Sequence, residues 1–396
     1  MSVSRPLYLD NHATTPCDPR VLAAMLPFFA ETFGNPASVS HPFGWEAEAA
    51  VDRARAQVAR ALGAADPKEI VFTSGATESD NLAVKGVAEL YAGKGDHIVT
   101  VVTEHKAVLD ACRHLEKRGV ISVTYLPIGR DGLIDLDALS AAITDRTVLV
   151  SVMAANNEIG VLQPLARIGA LCRERGVLFH TDAAQAFGKV PLDVEAMNLD
   201  LVSLTAHKIY GPKGVGALYV RRRNPRVRLA PQMDGGGHEG GFRSGTLNVP
   251  GIVALGTISE IALTERDAEA ERCRDLRERL RRGICEAVDG VHLNGHPTER
   301  LPGSLSLSFE GIAGDSLLIG LKDIALSAGS ACSSGSPTPS YVLKALGQSD
   351  DLAYSVLRFG IGRFNTEAEI DYTVERVVTE VKRLRALSLP PALAAC

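Results

Sequence analysis

Ser203-Leu204-Thr205-Ala206-His207-Lys208-Ile209-Tyr210-Gly211-Pro212-Lys213-Gly214 is the stretch on which the fold and chemistry of this chain turn. A short apolar run gives way to a lysine set between a histidine and a Gly-Pro-Lys-Gly turn. Earlier in the chain, Val177-Leu178-Phe179-His180-Thr181-Asp182 repeats the arrangement, an apolar run ending in an acid. Further β-rich runs occupy 69–72, 97–102, 121–126, 147–152, 177–180 and 201–204, separated by amphipathic helical patterns. Near-continuous Val/Ile/Leu strands alternating with helices predict an α/β fold with a mainly parallel sheet covered on both faces. Ligands of such sheets sit outside the strand ends, where Asp182 and Lys208 fall. Residues 216–220 read as a late strand able to run antiparallel.

From about residue 257 the texture changes to a charged helix, 260–282, with apolar residues at helical spacing. Strands at 304–309 and 356–359 and a final amphipathic helix, 366–387, follow and suggest a smaller α+β unit. A chain of 396 residues exceeds the size at which single cores divide, so two domains are expected. The expected division is 16–256 for the large domain, and 1–15 with 257–396 for the small one.

Net charge is −5 with both signs mixed along the chain, which gives no reason to expect nucleic acid or a membrane surface as ligand. The local exception, Arg221-Arg222-Arg223-Asn224-Pro225-Arg226-Val227-Arg228, reads first as a solvated turn and second as a docking surface for an acidic partner. No apolar run approaches the roughly 18 residues that span a bilayer, and residues 1–6 lack the apolar core of a signal peptide, so a cytoplasmic location is expected. Seven cysteines are scattered without Cys-x-x-Cys spacing, which argues against a disulfide framework and a zinc site.

An amine and a carboxylate, each just past a strand, are what pyridoxal phosphate requires: Lys208 for the Schiff base and Asp182 to hold the ring nitrogen protonated. Singly, a lysine is usually a surface charge and an aspartate usually a cap. Gln185 could donate to the ring oxygen. Phe72-Thr73-Ser74-Gly75-Ala76-Thr77-Glu78-Ser79 follows a strand and opens a helix, so its amides point at an anion, unless Thr73 or Ser74 simply caps it. Thr205 and His207 add phosphate donors. His105, past another strand, can stack on a flat ring and move protons, against the alternative of a buried structural histidine. Cys332 lies in Ser327-Ala328-Gly329-Ser330-Ala331-Cys332-Ser333-Ser334-Gly335-Ser336, small residues that bury little, and reads as a thiol that travels. Cys112, Cys172 and Cys285, on helical patterns, read as quiet core residues.

These positions together resemble the cysteine desulfurases of the NifS/IscS kind, within the class-V aminotransferases of fold-type I pyridoxal phosphate enzymes. The resemblance runs through Tyr8-Leu9-Asp10-Asn11-His12-Ala13-Thr14-Thr15-Pro16, Phe33-Gly34-Asn35-Pro36-Ala37-Ser38, the 73–79 segment, Asn156-Asn157-Glu158-Ile159-Gly160, the Asp182 and Lys208 segments, Arg243-Ser244-Gly245-Thr246 and the Cys332 loop. The loop, at 327–340, and Ser340-Tyr341-Val342-Leu343-Lys344-Ala345-Leu346-Gly347 look like the IscS-type subgroup. The resemblance implies a seven-stranded, mainly parallel sheet in the large domain and pyridoxal 5'-phosphate as cofactor. Lys208, Asp182, Gln185, Ala76, Thr77, His105, Asn157, Thr205 and His207 would hold it, with Thr246 reaching the phosphate of the other subunit of a homodimer. L-Cysteine would be held by Arg358, Asn157 and Asn11. Lys208 would move the Cα proton, and Cys332, deprotonated with help from His105, would take the sulfur as a persulfide and leave alanine. The sulfur would pass to protein acceptors serving iron-sulfur cluster assembly or tRNA thiolation. No catalytic metal is implied; Cys332 could be a transient cluster ligand.

Three departures from the family pattern stand out: Gly240 where an arginine usually follows Glu239, Gly360 where serine is common, and a tail, 389–396, unlike the segment that docks an iron-sulfur scaffold. The competing readings are a selenocysteine lyase or related β-lyase on the same scaffold, and a sulfur-relay or assembly platform with negligible activity of its own.

Overall fold

The computed structural model describes residues 6–328 and 339–388, so Cys332 and Cys396 lie outside the described residues. A short strand β1 (Leu7–Tyr8) precedes the strands of the main sheet: β2 (Ile70–Thr73), β3 (His97–Val101), β4 (Ser122–Leu126), β5 (Thr147–Ser151), β6 (Leu178–Asp182), β7 (Leu201–Thr205) and β8 (Gly216–Val220). Their order is β2-β8-β7-β6-β5-β3-β4, seven strands as the resemblance implies. Only β8 runs antiparallel to its neighbours β2 and β7, as its late position in the sequence suggested.

The period-2 pattern of each strand sorts its side chains between two cores. Val99, Val150, Phe179, Val202 and Ala217 join one cluster, while their neighbours Ile98, Leu149, Leu178, Leu201 and Leu218 join another. Burial on both faces is why these strands read as continuous apolar runs. Helix Ala76–Leu90 covers the second face with Leu82, Ala83, Val84 and Val87. Helix Pro42–Leu62 packs on the first face, along the start of a 39-residue helix, Val249–Ala287.

That long helix extends beyond both bounds of its sequence-predicted span, 260–282. Its first half gives Ile252, Leu255 and Ile258 to the main core; its second half gives Cys273, Leu276, Leu280 and Ile284 to a separate one. The separate core also takes Leu7 and Leu9 from the amino-terminal segment and the antiparallel strands β9 (Val291–Leu293), β10 (Ser304–Phe309) and β12 (Val356–Gly360). Between the last two, β11 (Ile324–Ala325) pairs in parallel with β1. Closing helix Glu367–Ser388 packs Ile370, Val377 and Val381 into the same core.

Gly360 and Gly240 explain two of the departures from the family pattern. A Cβ at Gly360 would lie 2.7 Å from the Asn11 nitrogen and 2.8 Å from that of His12. The Gly360 carbonyl accepts from the Asn11 backbone at 3.1 Å and from its side-chain Nδ2 at 2.7 Å, so the backbone of 10–12 closes onto the end of β12. Gly240 sits at φ 65° beside Glu239 at φ 53°, left-handed backbone that an arginine at 240 would adopt only with strain.

Candidate active site

The carboxyl ends of the parallel strands converge on a cavity of about 430 Å³. Its lining includes Gly75, Ala76 and Thr77 after β2, His105 after β3, Asn157 after β5, Asp182 and Gln185 at the end of β6, and Thr205, His207 and Lys208 after β7. Nine residues separately expected to hold a cofactor thus meet in one place.

At one end, helix Ala76–Leu90 starts from Gly75 at φ 151° with no side-chain cap. Neither Thr73 nor Ser74 caps it: the Thr73 hydroxyl pairs with Ser79 at 2.8 Å, and the Ser74 nitrogen donates to Glu78 at 2.7 Å. The first-turn amides are therefore left for an anion. His207 beside them has its pKa pushed down to about 4 by burial and by Lys208 and Lys213, so it offers a neutral ring, with Nδ1 3.2 Å from the Thr14 hydroxyl.

At the other end Asp182 accepts from the Ala184 nitrogen at 2.8 Å, which fixes its carboxylate at the strand terminus. His105 is the N-cap of helix Lys106–Lys117, its Nδ1 accepting from the Ala107 nitrogen at 3.2 Å. With Nδ1 accepting from the backbone, the ring hydrogen lies on Nε2, and that nitrogen is the one His105 presents to the cavity. The Gln185 amide donates through Nε2 to the His12 carbonyl at 2.8 Å and accepts from Lys189 at 3.2 Å, which holds its plane against the cavity wall. The buried Asn157 Oδ1 has no hydrogen-bond partner among the described residues.

Pyridoxal phosphate fits this donor set. The uncapped helix start suits a phosphate, Asp182 a protonated ring nitrogen, Asn157 an unfilled polar contact, and Lys208, in the same lining, the Schiff base.

Other expected residues fall elsewhere. Arg358 is fully buried behind the cavity, its Nη2 on Asp10 Oδ1 at 2.8 Å and its Nη1 on the Asn157 carbonyl at 3.1 Å. Asn11, expected to touch substrate, donates through Nδ2 to the Gly360 carbonyl at 2.7 Å and to Asn365 Oδ1 at 3.2 Å, and it borders a separate small cavity with His12 and Lys189. Thr246 is exposed and outside the cavity of its own chain. Cys332 lies outside the described residues, but both flanks of its loop are fastened near the site. Ser327 donates to Asp10 Oδ2 at 2.8 Å, Ser340 bonds Glu158, and the Tyr341 hydroxyl donates to the Glu104 carbonyl at 2.7 Å.

Sequence reasoning missed the acids around Asp182. Asp80 and Glu104 are fully buried, and burial, then the nearness of Asp182, pushes both carboxyls well above the usual range. Asp10, quoted within a motif but given no role, is the counter-ion of Arg358. A signal for Asp80 existed: it shares a helical stripe with Ala83, Val84 and Val87, a charge on an apolar face.

Comparison with known proteins agrees with the geometry. The aminotransferase class-V family matches residues 7–373. A protein of Anaeromyxobacter dehalogenans (strain 2CP-C) named cysteine desulfurase IscS is 59% identical over 383 residues, covering 97% of this chain and 94% of that protein. A solved NifS-like protein superposes with a TM-score of 0.88 at 38% identity, over 96% of this chain and 100% of the other. A second, described as SspA in complex with cysteine, has a TM-score of 0.81 at 38% identity over 91% and 100%. This chain belongs to the class-V aminotransferase family of pyridoxal-phosphate-dependent enzymes, within its group of IscS- and NifS-like cysteine desulfurases.

Proposed function

We propose that this protein takes sulfur from L-cysteine, releases L-alanine and leaves a persulfide on Cys332 for transfer to a protein acceptor. The observation that carries the reading is the meeting of Lys208, Asp182, His105 and Asn157 in one cavity beside an uncapped helix start. Pyridoxal phosphate, when bound, supplies an electron sink for the bond from the substrate Cα to hydrogen. Lys208 removes and returns the Cα proton, and Asp182 holds the proton of the ring nitrogen. His105 gives and takes a proton at Nε2. Arg358, aligned by Asp10, provides positive charge for the substrate carboxylate behind Asn157. The Cys332 thiolate forms a bond to the substrate sulfur as the carbon–sulfur bond breaks. Fastening of both loop flanks at Asp10 and Glu158 supports delivery of this thiol to the cavity. A solved relative described with cysteine supports the substrate.

The same reading includes a homodimer in which Thr246 of the partner subunit completes the phosphate site. Its support is the exposure of Thr246 together with the exposed apolar side chains Leu26, Phe29, Phe33, Phe43 and Trp45. Division into 16–256 and 1–15 with 257–396 is supported by the separate cores on the two halves of helix Val249–Ala287. Among the described residues no helix is long and apolar enough to cross a membrane, and a cytoplasmic enzyme serving iron-sulfur assembly or tRNA thiolation is the reading proposed.

The test is single-turnover alanine release from cysteine without reductant, for wild type and Cys332→Ser, with mass analysis of the Cys332 peptide. Release by wild type alone, with one sulfur gained on that peptide, is expected. Equal release by both proteins without added sulfur would instead leave a pyridoxal β-lyase.

A further inference from the structure

Asp80 occupies the second turn of helix Ala76–Leu90 on the stripe that faces the sheet, and no part of it reaches solvent. Beneath it, side chains of one sheet face form a polar ladder across β5, β6 and β7. The His180 Nδ1 lies 2.8 Å from the Ser151 hydroxyl, and its Nε2 lies 2.9 Å from the Ser203 hydroxyl. Two residues along the same face of β6 stands Asp182. Carboxylate oxygens of Asp80 and Asp182 and a ring nitrogen of His105 all lie within 4.8 Å of one another. His180 Nε2 is 3.6 Å from Asp80 Oδ1. Glu104 and Lys208 are further titratable neighbours, and among the described residues neither Asp80 oxygen has a partner in good hydrogen-bond geometry, although the Ser203 hydroxyl lies close enough to favour its anion.

Two carboxyl groups this close and this deeply buried do not both ionise. Asp182 has an amide donor and opens on the cavity, where a cationic ring favours its anion. Asp80 has neither advantage: the Ser203 hydroxyl favours its anion, but burial and the nearness of Asp182 oppose it more strongly. The proton of the pair therefore belongs on Asp80.

We propose that Asp80 is a positioning residue acting through Asp182: a neutral carboxylic acid whose O–H donates toward the Asp182 carboxylate and keeps that carboxylate an anion aimed into the cavity. The inference rests on the reading of the cavity as a pyridoxal phosphate site. A donor behind Asp182 pins its carboxylate toward the ring nitrogen that it would hold protonated. Two further facts agree: burial, and then Asp182, raises the Asp80 pKa well above the carboxylate range, and burial lowers that of His180 to about 4, so both remain neutral near pH 7.

Infrared difference spectra of aspartate-labelled protein at neutral pH test the protonation directly, without turnover. An acid carbonyl stretch present in wild type and lost in Asp80→Asn is expected. Its absence from wild type would make Asp80 a carboxylate paired with a His180 imidazolium and would overturn the proposal. The role is tested by titrating apoprotein with pyridoxal phosphate and following the absorbance of the bound cofactor against pH. Asp80→Asn, which keeps a neutral donor, should bind within about twofold of wild type with an unchanged absorbance midpoint. Asp80→Leu should bind about tenfold more weakly, the loss of one charge-assisted hydrogen bond, with a shifted midpoint. A Leu variant that titrates like wild type, or an Asn variant as impaired as Leu, would overturn the role. Wild type that bound no cofactor would refute the site reading and the role together, while the infrared band would still report the protonation of Asp80.

Discussion

At the scale of single residues, His180 and Asp80 give the native state opposing responses to acid. Between its ordinary pKa of 6.5 and about 4, His180 in the unfolded chain holds a proton that the buried ring lacks, so its contribution falls as pH falls through that window. Asp80 in the native state keeps a proton that the unfolded chain releases above pH about 4, so its contribution falls as pH rises. Across this window the two offset each other, and removing one unmasks the other. Asp80→Asn is expected to steepen the acid loss of stability by up to about 1.4 kcal/mol per pH unit, and His180→Gln to flatten it by as much. Urea unfolding at several pH values in the window measures both slopes; a shift of the two variants in the same direction would show that the pair is not held neutral. A second residue-scale expectation concerns Gly360. Gly360→Ser should cost about 1–3 kcal/mol, because its Cβ overpacks against the backbone of Asn11 and His12. Unchanged urea stability would mean that the close approach of residues 10–12 relaxes at no cost.

At the scale of elements, β2 is an edge strand of the main sheet, and side chains replace its missing neighbour. Arg55 donates to the Ile70 carbonyl at 2.6 Å, and Glu239 accepts from the Phe72 nitrogen at 2.7 Å. The two side chains pair with each other at 2.7 Å, with the Glu239 side chain only 1% exposed. Edge backbone that would otherwise invite another strand is thereby satisfied, and the glycine-rich segment carrying Glu239 is fastened to the strand that feeds the uncapped helix. A double-mutant cycle of Arg55→Ala and Glu239→Ala should give a coupling of about 1–3 kcal/mol. Coupling below about 0.5 kcal/mol would reduce the pair to independent backbone contacts.

At the scale of the whole molecule, the proposed dimer makes each cofactor site a product of two chains. Mixing Lys208→Ala protein with Thr246→Ala protein should restore activity. In a hybrid dimer the Thr246→Ala chain supplies an intact Lys208, and its partner supplies an intact Thr246, so one site regains every proposed group. Each variant alone should bind pyridoxal phosphate weakly or turn over poorly. Mixtures no more active than the average of the two variants, despite verified subunit exchange, would place Thr246 outside the partner's site.

The sequence by itself determined the parallel sheet, because strands buried on both faces read as near-continuous apolar runs. It also pointed to the chemistry expected at their ends, because Lys208, Asp182, His105 and the 73–79 turn each follow directly on a short apolar strand. A late strand at 216–220 able to run antiparallel was legible too. Tertiary structure alone decided how these ends are supported. Arg358 meets Asp10 across 348 positions, Asn11 closes on Gly360 across 349, and Arg55 reaches Glu239 across 184. No local pattern specifies such pairs, since each partner is an ordinary polar residue until the chain brings the other to it. The burial of Asp80 beside Asp182 belongs to the same class: a carboxyl on an apolar stripe signals an anomaly, but its protonation depends on which acid the folded sheet sets against it.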